Sequence, residues 1–140
     1  MKNLLAIAFI LFGLGQAWSQ DSTTLKVVVK KFDSAQGTVK IALYNSEETY
    51  MGKAFIAGFK PVDNKNEMEL MLGKIPTGKY AFSIYHDENG NDKLDTNLIG
   101  IPTEDYAFSN NADGRFGPPN YEECEFEVSG TELVQIININ

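Results

Sequence analysis

Beyond residue 20, apolar and polar side chains alternate with a period of two, and no window carries the period of an amphipathic helix. Over 25–30, Leu25, Val27 and Val29 face one way and Lys26 and Lys30 the other. Over 38–44, Val39, Ile41 and Leu43 oppose Lys40 and Ala42, and the turn signal Asp33-Ser34-Ala35-Gln36-Gly37 joins the two strands into an expected hairpin. Residues 54–62 predict a third strand with a bulge at Gly58. Over 67–72, Met68, Leu70 and Leu72 oppose Glu67 and Glu69, a spacing that assigns the stripe to a core rather than a binding surface. Over 80–86, Tyr80, Phe82 and Ile84 form one face and Ala81, Ser83 and Tyr85 the other, so this strand is expected at the centre, covered on both sides. Residues 121–128 and 132–138 complete the set around Ser129-Gly130. Ser46-Glu47-Glu48 reads equally as a helical turn or a loop. Seven strands with turns at short intervals predict an all-β fold, an antiparallel β-sandwich with one long, structureless loop at 87–120.

The first residues break the pattern. Lys2 precedes an apolar run over 4–14, interrupted by Gly13, and Ala17-Trp18-Ser19 supplies small residues where a signal peptidase reads. This predicts an export signal at 1–19 and one mature domain at 20–140, periplasmic or on the outer surface. The run is shorter than the roughly 20 apolar residues a membrane span needs, and no later run is longer, so no transmembrane segment is expected after signal removal. No cysteine lies near the cut to carry a lipid anchor. The 12 basic against 19 acidic residues give a net charge of −7, or −8 once Lys2 is removed. That balance excludes a nucleic-acid partner, which needs clustered Lys and Arg, and suits attraction of cations. Cys124 is the single cysteine, so no intrachain disulfide forms; its alternation with Phe126 and Val128 assigns it to the core of a strand.

Candidate chemistry concentrates after the central strand. Asp87, Asn89, Asn91 and Asp95 place oxygen-bearing side chains at odd positions around Gly90, in a stretch that resembles the first half of a calcium loop. Hard cations take about six to eight oxygens at about 2.3–2.6 Å, which such spacing supplies from one turn of chain. The expected ligands are Asp87, Asn89, Asn91, the Lys93 carbonyl, Asp95 and, as the missing bidentate group, Glu104; Asp92 and Asp113 are alternatives. The stretch departs from the helix-flanked motif at Asp92, where glycine is wanted, and at Leu98, where glutamate is wanted. The plain alternative is that these residues only cap turns. Tyr106, Phe108, Phe116 and Tyr121 follow, expected to plug one end of the sandwich rather than stack on a ligand.

Several blocks resemble one bacterial family: Ile75-Pro76-Thr77-Gly78-Lys79-Tyr80-Ala81, His86-Asp87-Glu88-Asn89-Gly90-Asn91, Leu94-Asp95, Gly100-Ile101-Pro102-Thr103-Glu104, Phe108-Ser109-Asn110-Asn111-Ala112 and Phe116-Gly117-Pro118-Pro119. They are similar to the signature of exported domain-of-unknown-function family 2141. The resemblance covers nearly all of the mature chain, implies an Ig-like or transthyretin-like sandwich, and implies no activity. An enzyme remains conceivable, because His86 adjoins Asp87 and Ser109 or Cys124 could be its nucleophile, but neither sits in a recognisable frame. One histidine and one cysteine do not make the usual zinc set. The expectation is therefore an exported, non-catalytic module with a structural calcium loop at 87–95. A glycan- or protein-recognition module of the cell envelope is the first alternative, and a hydrolase centred on His86 the second.

Overall fold

The computed structural model describes residues 21–139; the expected export signal lies outside them. Eight strands follow one another: β1 (Ser22–Lys30), β2 (Thr38–Tyr44), β3 (Ile56–Pro61), β4 (Glu67–Pro76), β5 (Gly78–Asp87), β6 (Tyr106–Phe108), β7 (Phe126–Val128) and β8 (Glu132–Asn138). A single helical turn, α1 (Tyr121–Cys124), precedes β7. The strands form two sheets, β4-β1-β8 and β3-β2-β5-β6, and β7 pairs with the start of β5. The fold is all-β and two-layered, as the alternation requires, and β5 is its central strand.

The inward residues of both sheets meet in one core. Leu25, Val27 and Val29 of β1 pack with Val39, Ile41 and Leu43 of β2, Met68 and Leu70 of β4, and Tyr80, Phe82 and Ile84 of β5. Each such aliphatic or aromatic side chain contributes roughly 1.5–3 kcal/mol by leaving water. The opposite face of β5 is covered too. Ala81 packs there with Phe108, Tyr121 and Cys124 in a smaller cluster. Phe108 and Tyr121 thus cover a sheet face rather than plug an end, and Phe116, at 99% exposure, plugs nothing.

Five expectations are corrected. β1 and β2 do not form a hairpin: they lie in different sheets, and the chain crosses between layers after Lys31, whose φ is 68°. Alternation shows which face is buried but not which strand lies alongside. The sandwich is not purely antiparallel, because β8 runs parallel to β1 from Thr24↔Glu132 to Lys30↔Asn138. The bulge is not at Gly58, where β2 and β3 pair without a break; it falls in β4, where the partners of Leu25 and Lys26 are Gly73 and Met71 and Leu72 is left over. The stretch 87–120 is not structureless, for it holds β6, a bridge between Thr96 and Pro102, and a 3₁₀ turn at Ser109–Asn111. Residues 121–128 are likewise not one strand. The chain makes α1 first, with the Glu123 carboxylate accepting the Asn120 N–H at 2.8 Å. That bond satisfies one of the free donors at the helix start, and Cys124 ends a helical turn rather than alternating along β7.

Candidate functional site

Strand alternation at the end of β5 sends His86 into the core side and Asp87 to the other face. Asp87 is fully buried. Its Oδ1 accepts the N–H groups of Gly90 (2.8 Å) and Asn91 (3.2 Å), and its Oδ2 accepts that of Asp92 (2.9 Å). A carboxylate taking three main-chain donors folds the chain back on itself directly after the strand. Lys40, one strand away on β2, brings its ammonium within 3.7 Å of Asp87 Oδ2 and bonds the Asp92 carboxylate. The Asp92 bond is the main reason the Lys40 ammonium is held above its ordinary range.

The remaining expected ligands gather around this turn. Asn89 Oδ1 accepts the Asn91 N–H at 3.1 Å, and Asn91 Oδ1 accepts the Lys93 N–H at 3.0 Å. The two carboxamides donate to the two oxygens of Asp95, at 2.5 and 2.8 Å. A half-turn of either carboxamide exchanges its NH₂ for its oxygen and presents that oxygen beside Asp95. Glu104 arrives from the far side of the connection, its Oε1 accepting the Glu88 N–H (2.9 Å) and its Oε2 the Asp95 N–H (3.0 Å). It closes the turn at both ends. Asp92, where the calcium motif has glycine, takes the left-handed backbone that glycine usually supplies, with φ 64°. Asp113 is not part of the group: its carboxylate pairs with Arg115 at 2.6 Å, and that guanidinium holds it below the usual carboxylate range.

His86 lies apart from the suggested nucleophiles. Its Nε2 is 2.5 Å from the Gln36 carbonyl oxygen, and its ring packs edge-on against Phe32. Ser109 sits beside Phe82, which is four residues back from His86 along β5, roughly 13 Å at the rise of a strand. It is fully buried, with its hydroxyl donating to the Cys124 carbonyl (2.6 Å) and accepting the Phe82 N–H (3.0 Å). The Cys124 sulfur contacts the Tyr50 hydroxyl at 3.3 Å, and burial pushes its thiol above the ordinary range.

A feature with no signal in the sequence adjoins the loop. The outer face of β2, β3 and β5 and the returning 94–118 segment enclose a cleft of about 1040 Å³, lined by Tyr44, Phe59, Tyr85, Ile101, Tyr106 and Phe116 among others. Phe59, Ile101 and Phe116 are 74%, 55% and 99% exposed. These residues come from segments far apart in the chain, so only folding reveals that they share a surface.

Fold and site define a class: a two-layer β-sandwich with an Asx-rich connection hung from the end of its central strand. Within that class, the chain belongs to the family described as an uncharacterized protein conserved in bacteria (DUF2141), whose model matches residues 27–136. The match runs from within β1 to within β8 and includes the whole connection after β5. No curated protein and no solved structure matches the chain. Among the described residues, no helix is long and apolar enough to cross a membrane.

Proposed function

We propose that this protein is an exported, non-catalytic β-sandwich module whose 87–95 connection binds calcium structurally. Export rests on Lys2, the apolar run over 4–14 and Ala17-Trp18-Ser19. The observation that carries the calcium reading is convergence: Asn89, Asn91 and Asp95 bond one another, Asp87 anchors the same turn, and Glu104 closes it. A cation beside Asp95 draws the two Asn oxygens toward it and offsets the clustered negative charge that Lys40 balances only in part. Extracellular calcium modules bind at about 10⁻⁴–10⁻³ M, so millimolar excess stabilises the fold by about 1–3 kcal/mol. Thermal melts of the protein with calcium and with chelator test this. The expected midpoint is higher with calcium, and the gap closes in Asp95→Asn; equal midpoints in the native protein sink the reading.

The cleft favours a second reading, a recognition module for a glycan or protein of the cell envelope. Aromatic faces on an exposed concave wall suit sugar rings or an apolar peptide. Glycan-array binding that disappears in Phe116→Ala and Tyr106→Ala supports it, and binding unaffected by both replacements removes it.

A further inference from the structure

We propose that His86, Glu88 and Asp105 form a second cation site, with a donor set distinct from Asp87, Asn89, Asn91, Asp95 and Glu104, for a borderline divalent metal such as zinc. The Gln36 carbonyl oxygen 2.5 Å from Nε2 can only accept, so Nε2 carries the hydrogen and Nδ1 of the neutral ring is a bare lone pair. His86 is fully buried, and among the described residues Nδ1 has no hydrogen-bond partner. A buried, unpaired nitrogen is costly. What Nδ1 faces makes matters worse: Glu88 Oε1 lies 3.5 Å away, and the His86, Glu88 and Asp105 ligand atoms all fall within 4.8 Å of one another. A lone pair 3.5 Å from one carboxylate, in a cluster with a second, is repelled unless a positive charge sits between them.

The surroundings fit a metal. Two ligands at about 2.0–2.1 Å in a tetrahedral shell stand roughly 3.4 Å apart, close to the His86–Glu88 separation. A metal-bound imidazole ordinarily gives its other N–H to a carbonyl or carboxylate, the role Gln36 fills here. Asp105 is held in place because its carbonyl accepts the His86 N–H at 2.8 Å. One nitrogen with carboxylate oxygens suits zinc and its neighbours better than calcium, which prefers oxygen alone. Adjacent residues on a strand point to opposite faces, so His86 and Asp87 serve different sites. One histidine and one cysteine do not make a zinc set, but this donor set uses carboxylates, of which Asp105 is brought to the imidazole only by the fold.

The test is calorimetric titration of the chelator-stripped protein with zinc in millimolar calcium, which keeps the 87–95 turn occupied if it binds. One equivalent of zinc is expected, at least tenfold weaker in Glu88→Gln and in Asp105→Asn, each checked for its fold by circular dichroism. His86 is too buried for its replacement to be a clean control, so its ring is read by ¹⁵N NMR, where the Nδ1 resonance moves on zinc addition. No zinc uptake, uptake unchanged in both variants, or an imidazole that stays protonated on both nitrogens with zinc present overturns the proposal.

Discussion

A Cβ at Gly37 would lie 2.3 Å from the Asp87 carbonyl oxygen and 2.6 Å from Glu88 Cα, and the residue's φ is +74°. Here the turn after β1 presses against the end of β5, which is how the Gln36 carbonyl reaches His86. Gly37→Ala therefore combines left-handed strain with a clash against backbone that cannot yield, and is expected to cost about 2–5 kcal/mol in urea unfolding. Gly90 has nearly the same φ, +73°, but among the described residues nothing lies within 4 Å of the added carbon. Gly90→Ala is expected to cost only about 1–2 kcal/mol. Equal losses in the two variants contradict the close approach at Gly37. Cys124 gives a chemical counterpart. Buried, its thiol raised mainly by that burial, it is expected to react with a disulfide reagent at pH 8 at least ~10-fold more slowly than free cysteine until the protein unfolds. At this scale the oxygen-bearing side chains at 87, 89, 91 and 95 were legible from spacing alone. The demand of Nδ1 for a cation was not, because it depends on a carbonyl fifty residues earlier.

The connection after β5 behaves as an element in its own right, clamped by one side chain. Glu104 bridges the N–H groups of Glu88 and Asp95. Glu104→Ala frees both, at a cost of about 1–2 kcal/mol after allowance for partial exposure. Amide exchange over 88–95 is expected to accelerate while the core of β5 keeps its protection; unchanged exchange means the clamp is not holding the turn. Strand existence was readable here because five to ten residues of alternation suffice to mark a face. Helix α1 was not. Tyr121 and Cys124 are buried three apart, as a helix requires. Yet Cys124, Phe126 and Val128 also alternate, and four residues are too few for one period to exclude the other. Tertiary cover by Ala81 and Phe108 settled it.

For the whole molecule, burial is the first cause raising the phenols of Tyr50, Tyr80, Tyr85 and Tyr121 above their ordinary value. A phenol whose folded pKa exceeds its unfolded one binds its proton more tightly in the native state. The stability it contributes is complete below about pH 10 and is lost as pH rises through the folded values. Alkaline titration is thus expected to show tyrosinate absorbance from these four residues rising only above pH 10, together with loss of β-sheet circular dichroism. Ionisation of these four tyrosines near pH 10 in a folded protein contradicts that packing. The sequence by itself determined the all-β class, the faces each strand buries and the Asx repeat after the central strand, because these follow from local geometry with a period of two. Only the tertiary structure decided that β1 and β2 part into different sheets, that β8 runs parallel to β1, and that Glu104, Gln36 and Asp105 meet the end of β5. Such pairings depend on which buried faces win one another across long loops, and no spacing along the chain encodes the outcome of that competition.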